Sequence, residues 1–296
     1  MACTPPATPT PSPEPSPTTM TDTRERRWSE VDSWVYQLTG YPDDRLDEIA
    51  ASAYDLAVID LSRDGGESTF TAGEIAAVQA TGKLVLAYFE IGAIEDYRPE
   101  WPEIPDTLKL GPVEGWPGEH YVAYWDERWW PVVRGRLDRA LDAGFDGAYL
   151  DLVTAYAEIP ADAAGTDRED LARRMVALLA RIADHARMRD PTFKIVPQNA
   201  PELHAYAGYL EAIDGLGMEE LYVLATDEPC AADWCAENRA AAAAIRDAGK
   251  LVLTVDYATE QRWIDHAYTA ARAAGFVPYV TDVDLDTLRV NPGWSP

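Results

Sequence analysis

The stretch GFDGAYLDLVTAY, residues 144–156, ends a short apolar run, Phe145 to Leu150, on a carboxylate, Asp151, with Tyr156 following. An acid at the last position of a buried strand is costly there unless it is hydrogen-bonded or used in chemistry. In a parallel α/β barrel that end of a strand faces the cleft where reacting groups sit. Asp151 is therefore the first candidate catalytic residue.

The pattern repeats at the ends of other apolar runs. Tyr36 and Gln37 end the first, Asp60 the second, and Tyr88 and Glu90 the third. Gln198 and Asn199 follow the fifth, Glu219 and Glu220 the sixth, Asp256 and Tyr257 the seventh, and Tyr279 and Asp282 close the eighth. Any one of these acids would serve as a helix cap or an ion-pair partner. Together they form a rim of carboxylates, amides and phenols. Four histidines, His120, His185, His204 and His266, stand at no strand end and in no metal-ligand spacing. There is no nucleophile elbow, Walker loop or phosphate-binding glycine cluster after the seventh run. Carboxylates with aromatics, and no cofactor or metal, match glycoside hydrolysis. That reaction needs one acid to protonate the leaving oxygen and one carboxylate to attack or to activate water. Crowded acids raise one another's pKa, which keeps one protonated near neutrality. Trp and Tyr rings would pack on sugar faces.

The elements that must present this rim are eight apolar runs: Trp34–Leu38, Leu56–Leu61, Leu84–Phe89, Ala148–Leu150, Lys194–Pro197, Ile213–Met218, Leu251–Val255 and Phe276–Val280. Helical patterns lie between most of them. The clearest runs from Arg168 to Met188, with Leu171, Met175, Leu178, Leu179 and Ile182 on one face and Thr166 and Glu169 as a capping box. Gly82, Gly144, Gly249 and Gly275 each close a helical stretch and open an apolar run, the place for a left-handed residue. Eight alternating strands and helices predict a (β/α)8 barrel. A doubly wound sheet is the competitor, but no GxGxxG follows the first run. The long segment from Ile91 to Tyr124 shows little helical period and is expected to overhang the rim as a functional loop.

The chain carries 51 acidic and 25 basic residues, a net charge of −26. With no Lys/Arg cluster to neutralise phosphates, nucleic acid is excluded as a partner. Such a surface attracts cations or a polycationic substrate, or simply keeps the protein dispersed. No run of ~18 apolar residues is present to span a membrane. Residues 1–27, rich in Pro, Thr and Ser, are expected to be a disordered tether ahead of one domain, 28–296. Cys3 within it resembles the lipidated end of a bacterial lipoprotein; the alternative is a chance cysteine in a tail. A monomer acting outside the cell or at its surface is expected. Cys230 and Cys235 are close enough in sequence for a disulfide in an exported protein.

Several motifs carry a family resemblance: WVYQL at 34–38, YFEIGAIEDYR at 88–98, YWDERW at 124–129, GFDGAYLDLVTAY, PQNAPEL at 197–203 and DGLGMEELY at 214–222. In this order they resemble glycoside hydrolase family 114, the endo-α-1,4-polygalactosaminidases, from about Trp34 to Asp282. The resemblance implies a barrel enzyme that cleaves a cationic galactosamine polymer. It implies Asp151 and Glu219 as the catalytic pair, Glu219 as acid/base and Asp151 as nucleophile or water-activating base. Strand alternation from Ile213 favours Glu219 over Glu220 as the inward residue. Where members often carry a second acid after strand four, this chain has Thr154. Asp60, Glu90 and Asp256 are then expected to meet substrate amines, and Tyr36, Tyr88, Trp125, Asn199 and Tyr257 to line the subsites. A glycosidase for another polysaccharide and a non-catalytic glycan-binding barrel are the alternatives, with a barrel lyase more remote.

Overall fold

The structure, a computed structural model, describes residues 17–63, 65–225 and 227–296. Cys3 and most of the Pro/Thr-rich segment lie outside these residues. The eight expected strands are present: β1 (Trp34–Tyr36), β2 (Leu56–Asp60), β3 (Leu84–Glu90), β4 (Gly147–Asp151), β5 (Lys194–Pro197), β6 (Gly215–Glu219), β7 (Leu251–Tyr257) and β8 (Val277–Thr281). Ladders β1-β2-β3-β4-β5 and β6-β7-β8 are parallel throughout. A parallel bridge from Gln198 to Gly217 joins them. At the closing seam the Trp34 indole donates to Val277 O at 3.0 Å. The fold is the parallel α/β barrel expected from the strand count.

Every strand is buried along nearly its whole length, which is why the runs read as continuous apolar stretches rather than alternating ones. Inside, aromatic rings fill the barrel. Tyr36 packs on Trp34 and Tyr149 with ring centroids 5.7 and 5.3 Å apart. Tyr149 reaches from β4 across to β6, where a Cβ on Gly217 would stand 2.0 Å from its hydroxyl. Gly217 is therefore fixed by a close approach, not by a turn.

The helices are α1 (Pro17–Ser29), α2 (Asp47–Ala51), α3 (Ala72–Gln79), α4 (Trp130–Asp142), α5 (Ala155–Glu158), α6 (Arg168–Arg189), α7 (Tyr209–Ala212), α8 (Asp233–Asp247) and α9 (Gln261–Ala273). The glycines at 82, 144, 249 and 275 all have positive φ, between 73° and 103°. The cap of α6 differs from the expected Thr166–Glu169 box. Asp167 is the N-cap, accepting from Asp170 N at 2.8 Å, while Thr166 Oγ1 donates to the Asp170 carboxylate. A full capping box stands instead at Thr71 and Glu74 on α3.

Helix α1 crosses the boundary expected at residue 27. Arg24 donates to Asp146 Oδ1 and Thr192 Oγ1, both at 2.7 Å, and Lys194 Nζ pairs with Glu25 at 2.6 Å. Asp146 and Thr192 precede β4 and β5, and Lys194 opens β5, so the helix closes the barrel's N-terminal mouth. The last residues of the expected tether, from Pro17 on, thus belong to a helix held by ion pairs.

The segment after β3 is not structureless. Ala93–Glu95, Lys109–Pro112 and Glu119–Val122 form a small antiparallel sheet. Its strands are too short, and too interrupted by Pro and Gly, to show a period.

Candidate active site

Asp151 closes β4, and the chain turns sharply after it: Leu152 has φ 54°. Asn199, Ala200 and Glu220, just past β5 and β6, also lie at φ 53–60°. A non-glycine residue there costs ~1–3 kcal/mol, and such positions cluster at functional sites. Here they bend three neighbouring strand ends off the rim and leave Asp151 and Glu219 on it.

Each acid is held by a phenol from the adjacent strand. Tyr88 of β3 donates to Asp151 Oδ2 at 2.6 Å, and Leu152 N–H donates to Oδ1 at 2.6 Å. Tyr257 of β7 donates to Glu219 Oε1. Asn199 Nδ2 donates to Glu219 Oε2 at 3.0 Å, and Asn199 Oδ1 accepts from the Glu219 N–H at 3.0 Å. Burial, and next the facing Glu219 carboxylate, push Asp151 up to about 7, while the Tyr88 and Leu152 donors pull the other way. Glu220 turns elsewhere: its carboxylate accepts from Ala225 N at 2.6 Å and braces the loop after β6.

Of the expected lining residues, Tyr88, Asn199 and Tyr257 thus meet the pair directly. Tyr36 lies beneath it, its hydroxyl donating to Gln198 Oε1 at 3.2 Å and its ring 6.1 Å from that of Tyr88. The other four stand outside the bonds around the pair. Asp60 is 4 % and Glu90 1 % exposed. Asp60 takes two bonds from Arg98, at 3.1 and 3.0 Å. Glu90 is ion-paired to Arg98 at 3.3 Å and to Arg136 at 3.0 Å. Asp256 is fully buried and accepts from Tyr222 N and Val223 N at 2.7 and 2.8 Å, pinning the loop after β6. These three carboxylates are held by protein donors, as buried carboxylates are. Trp125 stands edge-on to Tyr124, with Arg174 over its ring, and joins none of the bonds around the pair.

Three residues escaped the sequence reading. Arg98 and Arg136, from the loop after β3 and from α4, neutralise the rim acids, and a lone arginine in a loop carries no periodic signal. Glu119 sits in the insertion facing Asp151, and burial pushes its carboxyl up to about 9.

Barrel, rim and paired acids define a glycosidase-type site. Residues 16–293 match the model of glycoside-hydrolase family GH114, and the chain belongs to that family. An uncharacterized protein of Deinococcus radiodurans is 39% identical over 268 residues, covering 89% of this chain and 84% of its own length. One from Thermotoga maritima is 33% identical over 282 residues, covering 90% and 85%. Among solved structures, Aspergillus fumigatus Ega3 in complex with galactosamine superimposes with a TM-score of 0.70 at 18% identity, covering 89% of this chain and 97% of its own. The glycoside hydrolase domain of PelA from Pseudomonas aeruginosa does so with 0.68 at 16% identity, covering 88% and 98%.

Proposed function

We propose that this chain is an endo-acting hydrolase of α-1,4-linked, galactosamine-containing polysaccharide. Glu219 protonates the glycosidic oxygen as the bond breaks, and Asp151 attacks the anomeric carbon or takes a proton from the attacking water. Glu219 then deprotonates the water that completes hydrolysis in the first case. The observation that carries the reading is the pair itself: two facing acids, on β4 and β6, each oriented by a phenol of the neighbouring strand. Asp151 must be ionised to act, and an ammonium-bearing sugar entering beside it would draw its proton off. The galactosamine bound by Ega3, a structural neighbour, supports the substrate class. So does the net charge of −26, which steers a polycation towards the cleft.

Action outside the cell is part of the proposal. Cys230 and Cys235 form a disulfide, a bond that persists in oxidising compartments. A lipid anchor on Cys3 would hold the enzyme at the surface. A reducing-end assay across α-1,4-galactosamine polymer, its N-acetylated form and neutral glycans tests the substrate class. Cleavage confined to a neutral glycan would replace the galactosamine polymer with another polysaccharide.

A further inference from the structure

The insertion after β3 is fastened beside Asp151. Ile91 N–H donates to Asp151 O at 2.9 Å, and Val122 N–H donates to Gly92 O at 3.1 Å. Gly92 lies so close to the next turn that a Cβ there would stand 2.1 Å from Leu152 O. This seating brings Glu119 to the cleft at 7 % exposure. Its backbone is satisfied, N–H donating to Trp116 O at 3.2 Å and O accepting from Val113 N at 2.9 Å. Its carboxyl has no hydrogen bond or ion pair among the described residues. Neighbouring acids all have one: Asp151 has Tyr88, and Glu90 and Glu95 have Arg98.

The groups facing Glu119 are Asp151, Glu90, Glu95 and Arg98. Arg98 already serves Asp60, Glu90 and Glu95. Tyr121, two residues along the same strand, faces Glu119, Glu114, Glu158 and Asp151 and is half-buried. Burial, and next the neighbouring Asp151, Glu90 and Glu95, favour the neutral form of this carboxyl. Arg98 is thus the one cation among these facing groups, and its ion pairs go to the other acids. Resting on the galactosamine reading above, we propose that Glu119 is the residue by which the site distinguishes a free-amine sugar from its N-acetyl form, its carboxylate accepting from the sugar ammonium beside Asp151.

On binding, the Glu119 carboxyl releases its proton to solvent and the ammonium donates to the carboxylate so formed. An acetamide brings no charge to offset the loss of that proton. Free-amine binding therefore releases a proton, and N-acetyl binding does not.

The test compares kcat/KM of wild type, Glu119→Gln and Glu119→Ala on α-1,4-galactosamine oligomers and on N-acetylated oligomers of the same length. The expected result is a loss of about 10–100-fold on the free-amine form, as for a lost charge-assisted bond, with the acetylated form changed only a few-fold. Thermal unfolding at pH 7 should show Glu119→Gln no less stable than wild type. Equal losses on both oligomers, or no loss on either, would overturn the role of Glu119 while leaving the galactosamine reading intact. A wild type that cleaves neither form would instead sink that reading, and this proposal with it.

Discussion

Asn199 and Glu219 hold each other by two bonds, the amide donating to the carboxylate and accepting from the same residue's N–H, both at 3.0 Å. The ring fixes the χ angles of Glu219, and it works only with an amide. Asn199→Asp keeps the size and tolerates the left-handed backbone at φ 60°. It replaces a donor by a second negative charge. The expected outcome is a fall in kcat of about 10–100-fold with little change in KM, read from steady-state kinetics.

The two acids should separate by leaving group. With an aryl glycoside whose phenolate needs no protonation, Glu219→Gln should keep most of the rate of bond breaking, read as phenolate released in the first turnover. Asp151→Asn should stay reduced by about 10²–10⁴-fold, the usual worth of a positioned catalytic group. Initial rates on activated and natural substrates check this. The reverse pattern would exchange the roles, which the elevated pKa of Asp151 makes worth testing.

Stability should fall as pH rises above about 4. Asp151 and Asp256 titrate at about 7 in the fold and Glu119 at about 9, against ~4 for unfolded carboxylates. The folded chain therefore keeps protons that the unfolded chain releases. Their contribution is full below about pH 4 and is lost as pH passes about 7, and about 9 for Glu119. Glu74 and Glu100, held at about 2 by arginines and, for Glu74, by Thr71, act oppositely and lose their contribution as pH falls towards 2. Denaturant midpoints should be higher at pH 5 than at pH 8, and Asp151→Asn should flatten the difference. A midpoint that rises between pH 5 and 8 would contradict this.

The eight strands were legible because parallel strands buried on both faces must be continuously apolar. The left-handed glycines marked every helix-to-strand return they were read for. Asp151 and Glu219 could be singled out as candidates because a carboxylate at the end of such a strand is conspicuous. Which acid would find an arginine could not be read. Asp60 and Glu90 look like Asp151 in sequence, and only the fold brings Arg98 and Arg136 to them. Glu119 was hidden in a sheet whose strands span three or four residues, and α1 was hidden because charges, not an apolar stripe, hold it.

Arg98 binds three carboxylates at 5 % side-chain exposure. Removing it leaves Asp60 and Glu90 buried with too little compensation. Arg98→Met should destabilise by about 3–5 kcal/mol, measured by denaturant unfolding. Adding Asp60→Asn should recover part of that loss. If the double variant is no more stable than Arg98→Met, charge compensation is not the reason for the cluster.

The central claim is that Asp151 and Glu219 together hydrolyse an amine-bearing α-linked galactosamine chain. Its most direct test is mass spectrometry of α-1,4-galactosamine oligomers incubated in ¹⁸O-water with wild type, Asp151→Asn and Glu219→Gln. Shorter oligomers carrying one ¹⁸O at the new reducing end, formed by wild type and lost in both variants, are the predicted result. Cleavage that persists in both variants would place the chemistry on other residues.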